Sequence, residues 1–258
     1  MYICISKPTN PLSLRYFIEF AYKGTNYHGW QYQPNAVTVQ ETLNTALSTL
    51  LKAEVDLVGA GRTDTGVHAK QMFAHFDVDI IIEVAPFIFK ANSFLPKDIA
   101  ITNIHLVHNE AHARFDATQR TYHYYIHQNK NAFECNDSWY YHQNLDIQIM
   151  NKACEILMQH TDFECFSKVN TDVNTFNCAI SKAVWTKNLD AIVFEISADR
   201  FLRNMVRAIV GTLINLGTGK ITLNDFQQII ESKDRSKAGF SAPAQGLYLT
   251  EVKYPYLP

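Results

Sequence analysis

The chain carries no surplus of positive charge. Its 23 lysines and arginines are outnumbered by 25 acids, and the formal net charge is −2. Bulk attraction to a polyanion is therefore excluded, and any phosphate contacts have to come from a local basic surface. Cysteine is sparse as well: Cys4, Cys135, Cys154, Cys165 and Cys178 are scattered, odd in number and never spaced CxxC. That pattern excludes a disulfide framework and a cysteine zinc site, and it predicts buried, reduced thiols in a cytoplasmic setting. No apolar run approaches the ~20 residues that a bilayer span requires. The stretch before Leu14 has two prolines, no periodicity and no small-residue cleavage site, so residues 1–13 are expected to form a loose leader and not a secretory signal.

What is present is an alternation of strand and helix patterns. Leu14 to Tyr22 is aromatic and β-branched enough for a strand. After a polar loop, Val39, Leu43, Leu47, Leu50 and Leu51 recur at helical spacing, with Thr38 and Glu41 placed as a capping box. Strand character returns around 53–60. From Gln71 to Asp79 apolar and polar residues alternate, which predicts a half-buried strand with His75 on the polar side. A helix is expected over 83–93 and a strand over 99–108. The second half repeats the mixture: a strand over 121–127, a helix over 146–160, strands over 180–186 and 191–197, a helix from Arg200 to Gly217, a short helix capped by Thr222, and a closing strand in GLYLTEVKY. Two α+β halves, 14–110 and 111–258, describe this most economically.

Three stretches carry candidate chemistry. VGAGRTDTGVHAKQ holds Arg62 and Asp64 two residues apart in a glycine-rich turn. It has neither the Gly-Lys-Ser/Thr ending of a P-loop nor the spacing of a dinucleotide fold. A turn in which Asp64 merely bonds backbone amides and a rigidly held reactive carboxylate fit this pattern equally well. ARFDATQRTYHYY mixes Arg114 and Arg120 with Tyr122 and Tyr124, a combination suited to single-stranded RNA, although ordinary strand tyrosines would look the same. In ADRFLRNMVRAIVG a helix would align Arg200, Arg203 and Arg207 as one basic stripe fit for a polyanion. His105, His108 and His112 are poor metal ligands, because a strand turns the first two to opposite sides.

Together these stretches resemble the tRNA pseudouridine synthase A family over roughly residues 14–256. The likeness is carried by YHGWQYQPNAVTVQETL, GAGRTDTGVHA, NSFLPKDI, HARFDATQRTYHYYI, FLRNMVRAIVGTL and AGFSAPAQGLYL. The resemblance implies two ferredoxin-like α+β halves whose antiparallel sheets join side by side, with the catalytic cleft between them. It implies a cytoplasmic homodimer, without metal or organic cofactor and without a membrane partner. Its activity would convert uridine to pseudouridine at positions 38, 39 and 40 of the tRNA anticodon stem-loop. Carried over residue by residue, Asp64 is the nucleophile and Arg207 its partner. Arg62 helps extrude the target nucleotide, Tyr122 stacks on the uracil, Leu247 walls the base pocket and Arg203 contacts RNA. The divergent TFNCAI stretch receives no role.

Overall fold

The computed structural model describes residues 13–169, 173–188 and 191–257. All but the last residue of the expected leader lies outside them, as does Cys4. The chain forms β1 (Leu14–Tyr22), α1 (Val39–Leu51), β2 (Val58–Gly59), β3 (His68–Val78), α2 (Val84–Phe94) and β4 (Ile99–Val107). There follow β5 (Gln119–His127), β6 (Trp139–Tyr140), α3 (Ile147–Leu157), β7 (Ile180–Lys187), β8 (Ile192–Ala198), α4 (Met205–Gly217), α5 (Leu223–Ser232) and β9 (Leu247–Lys253).

The sheet runs β4-β1-β3-β9-β5-β8-β7, with β2 beside β3 and β6 beside β5. Its main pairings are antiparallel except at the centre, where β3 and β9 run parallel through His68↔Tyr248 and Ala69↔Leu249. The fold is therefore α+β, and this short pairing is where two antiparallel sheets meet side by side. Each side has its own core. Phe17, Ile18, Phe20, Leu43, Leu47, Met72 and Phe76 belong to the first. Tyr124, Trp185, Phe194, Ile209, Leu213 and Phe226 belong to the second. Emptying one such position, as in Leu47→Ala, costs about 2–5 kcal/mol.

Local rules account for the starts of α1 and α5. Thr38 Oγ1 accepts from the Glu41 amide at 3.3 Å and starts α1. Thr222 and Asp225 form a full reciprocal capping box on α5.

Four expectations need correction. First, the strand expected over 53–60 shrinks to Val58–Gly59. Polar side chains of α1 take the backbone partners instead: the Val55 amide donates to Ser48 Oγ at 2.9 Å and the Leu57 amide to Asn44 Oδ1 at 3.1 Å. Second, β3 is buried on both faces from Met72 to Phe76. Phe73 and His75 are not solvated, because Tyr254 and His112 pack against them. Third, the helix expected from Arg200 begins only at Met205. Asn204 sits in the left-handed region at φ 66°, its side chain tied to Ser241 Oγ at 2.7 Å, while Leu202 turns into the core. Arg200 and Arg203 therefore precede the helix, and no helical arginine stripe exists. Fourth, Cys154, Cys165 and Cys178 are buried thiols, but Cys135 is exposed.

Candidate active site

The Asp64 loop, between β2 and β3, is tied to the turn that follows β1. Trp30 donates its amide to the Thr63 carbonyl at 3.2 Å, and Gly66 donates to the Tyr27 carbonyl at 3.3 Å. The Tyr22 hydroxyl pairs with Thr63 Oγ1 at 2.8 Å. His68 Nδ1 accepts from the Gly24 amide at 3.0 Å, which fixes the far end of the loop. Two glycines are required here. Gly29, at φ 88°, lies where a Cβ would collide with the Thr63 carbonyl, and Gly66 turns the chain at φ 78°. The YHGW and GRTDTG motifs are thus one packed unit, and their glycines serve close backbone approach.

Across the seam, α4 delivers Arg207. Its Nη1 donates to Asp64 Oδ2 at 3.3 Å, while Nε is committed to the Ala242 carbonyl at 2.7 Å. The two side chains are 28% and 19% exposed for Asp64 and Arg207 respectively. An ion pair that open, with a single contact, contributes at most about 1 kcal/mol to stability. Its consequence is geometric: a carboxylate from one half is aimed by a guanidinium from the other, and both remain reachable from solvent.

Tyr122, on β5, presents its ring edge-on to Phe201 at 5.2 Å and 89°. Burial raises its phenol to about 12; Arg120 opposes the shift and the negative charge of Asp64 adds to it. The group therefore keeps its proton at neutral pH. Leu247, the first residue of β9, is 5% exposed and packs in the second core, paired in register with Tyr124. Arg62 and Arg203 are exposed, the first on the Asp64 loop and the second just before α4.

Two members of the basic–aromatic stretch have structural duties. Arg120 donates to four carbonyls, those of Ala117, Asp199, Ala60 and Arg114. Tyr124 is fully buried with its hydroxyl on the Pro243 carbonyl at 2.8 Å. Neither side chain is free to stack on RNA. Tyr22, Phe201, His68 and the Ala242 carbonyl were missed in the sequence, since each is defined by a partner far along the chain. The histidines at 105, 108 and 112 diverge: His105 lies 3.7 Å from Glu19, His108 against Tyr256 and His112 against His75. Among the described residues no three His, Cys, Asp or Glu side chains gather as metal ligands, and no helix is long and apolar enough to cross a membrane.

Comparison with known proteins places the whole chain in a family. A family profile described as tRNA pseudouridine synthase matches residues 153–255. A tRNA pseudouridine synthase A of Parabacteroides distasonis is 52% identical over 242 residues, covering 93% of this chain and 96% of that protein. One of Bacteroides thetaiotaomicron is 51% identical, covering 93% and 91%. One of a Thermoanaerobacter species is 43% identical, covering 90% and 96%. The chain belongs to the tRNA pseudouridine synthase A family, isomerases that convert uridine to pseudouridine in tRNA.

Proposed function

We propose that the protein isomerises uridines 38, 39 and 40 of the tRNA anticodon stem-loop, with Asp64 as its nucleophile. The observation that supports this most is the 3.3 Å contact of Arg207 with Asp64 across the seam. The reaction breaks the N1–C1′ bond of uridine and joins the same sugar to C5. The C5 proton leaves and N1 gains one, so product and substrate have the same atoms and no redox partner is consumed. A nucleophile has to retain one fragment while the base turns over, and a held carboxylate serves that purpose. Addition to the base, addition to C1′ and passage through a glycal are all routes open to such a carboxylate.

In this reading Arg207 orients Asp64, and Arg62 helps draw the target nucleotide out of its stack, a step costing a few kcal/mol. Tyr122 stacks on the uracil, and its hydroxyl relays the proton lost from C5, passing its own proton on as it accepts that one. Leu247 closes the base pocket and Arg203 meets a phosphate. The enzyme acts as a cytoplasmic homodimer, each chain of which has two halves, 14–110 and 111–258. The test is to map pseudouridine in unmodified tRNA transcripts incubated with the purified protein. Conversion is expected at 38, 39 and 40; conversion confined to another arm of the tRNA would overturn the site assignment.

A further inference from the structure

The turn that links β4 to β5 presents an aromatic ring to solvent. Phe115 is 73% exposed. Exposure alone decides nothing, since Phe133 and Ile81 are more exposed at 93% and 84%, and single apolar side chains on a surface are ordinary. What sets Phe115 apart is the backbone beneath it. The Tyr254 hydroxyl donates to the Ala113 carbonyl at 2.6 Å, and buried His75 accepts the Ala113 amide at 3.2 Å. Arg15 donates to the Ala111 carbonyl at 3.0 Å. Asp116 accepts both the His112 amide and the Tyr256 hydroxyl at 2.8 Å. His112 Nδ1 faces the amides of Arg114 and Phe115 at 3.1 and 3.3 Å. Ordering of this turn is complete before any partner arrives, so a ligand would not meet that entropic cost.

Its position is fixed as well. One nitrogen of Arg120 donates to the Arg114 carbonyl at 2.6 Å and to the Ala60 carbonyl at 2.9 Å. Ala60 opens the Gly61-Arg62-Thr63-Asp64 run, so the turn and the Asp64 loop hang from the same guanidinium. The side chains above it set a cation and a second ring beside the exposed phenyl. The Arg114 guanidinium lies 5.7 Å from the centre of the Phe115 ring, and the His112 ring lies 4.3 Å from it. Arg114 and Arg62 are both exposed cations. None of the backbone bonds requires an aromatic residue at 115, nor an uncovered one.

We infer that Arg114 and Phe115 form a platform on which an unpaired base of the bound tRNA stacks beside the Asp64 loop, with Arg114 attracting the adjoining phosphate. This rests on the reading of the chain as a tRNA-modifying enzyme and adds a second nucleotide contact to the pocket at Tyr122. A stacked base strengthens binding roughly five- to a hundred-fold and is tolerant of base identity, which suits an enzyme that meets tRNAs of differing sequence.

The test compares Phe115→Ala, Phe115→Leu and Phe115→Trp, measuring Kd for unmodified tRNA, pseudouridine formation at saturating tRNA, and solution mass. The alanine variant is expected to bind about ten-fold more weakly or worse, with kcat within about two-fold of wild type. Tryptophan should restore binding and leucine should not, because leucine keeps the bulk but has no π face. Alanine binding as tightly as wild type, or leucine restoring affinity as well as tryptophan, would overturn the platform. A fall in solution mass for the alanine variant would also overturn it, by making the turn a contact between copies. Failure of wild type to form any pseudouridine would instead strike the enzymatic reading, which the variant affinities do not address.

Discussion

Arg207 divides its guanidinium between two tasks: Nε holds the Ala242 carbonyl and Nη1 reaches Asp64. A lysine in its place cannot hold both in the same geometry, because its donors all radiate from one nitrogen and are not spaced in a rigid fork. Arg207→Lys is therefore expected to lower the single-turnover rate by about 10²-fold, the order of loss that follows a small misplacement of a reacting group. Its melting temperature should stay near wild type, since so open an ion pair adds little stability. An unchanged rate would mean that aiming Asp64 does not require the fork. His75 makes the opposite kind of prediction, one of stability. Burial draws its pKa down from 6.5 to about 4, Arg15 and His112 push in the same direction, and Asp77 and Asp116 oppose. Between those values the unfolded chain takes up a proton that the folded protein refuses. The contribution is thus full above pH 6.5 and drains as pH falls toward 4, by about 3 kcal/mol for this group. His75→Asn keeps an oxygen to accept the Ala113 amide but cannot titrate. Denaturant unfolding of this variant should show a shallower loss of stability over that window; an identical slope would remove His75 from the acid response. Residue types were informative where chemistry is local: a carboxylate and an arginine in GAGRTDTG are visible in the sequence. The meeting of Asp64 with Arg207 is not visible from spacing, since 143 positions separate them. Only the resemblance to a family joined them. The burial of Arg120 and Tyr124 was hidden for the same reason.

At the scale of elements, helices with strong caps and long apolar stripes were legible. α1 and α5 begin beside the threonines that cap them, and the strands at 14–22 and 99–107 fall where alternation and β-branching put them. The start of α4 was not legible. Arginine spacing of three and four is compatible with a helix, and nothing local reveals that Leu202 is drawn into the core or that Asn204 turns left-handed. In the proposed mechanism function depends most on the Asp64 loop, whose shape is set from outside itself. Gly29 belongs to a different turn, yet it governs how closely Trp30 approaches Thr63. Gly29→Ala is expected to cost more than about 1 kcal/mol, both from its positive φ and from the collision with the Thr63 carbonyl. Relief of that collision moves the loop, so activity should fall even under conditions where the variant is fully folded. Circular dichroism melts paired with pseudouridine assays check this; full activity in a folded variant would show that the loop tolerates displacement.

For the whole molecule, the informative event is the return of the chain's last strand. β9 leaves the second half, passes between β3 and β5, and makes one sheet of two. Local pattern predicts that GLYLTEVKY is a strand, but strand order depends on contacts across nearly the whole chain, which no window contains. That return also sets Leu247 and the Ala242 carbonyl beside elements of the site. The surface carries a related consequence. With a net charge of −2, tRNA has to be held by a few well-placed cations, and exposed Arg203 is the one proposed here. Arg203→Glu should weaken tRNA binding and flatten the dependence of log Kd on log salt by about one phosphate contact; an unchanged slope would mean that this arginine faces only water. The central claim remains that one carboxylate, held at the seam by an arginine from the opposite half, begins the rearrangement. The most direct measurement is tritium release from tRNA carrying 5-tritiated uridine, with wild type and Asp64→Asn compared at equal tRNA occupancy. Release by wild type and none by the variant, with both binding tRNA, is the predicted result. Equal release by the two proteins would contradict it.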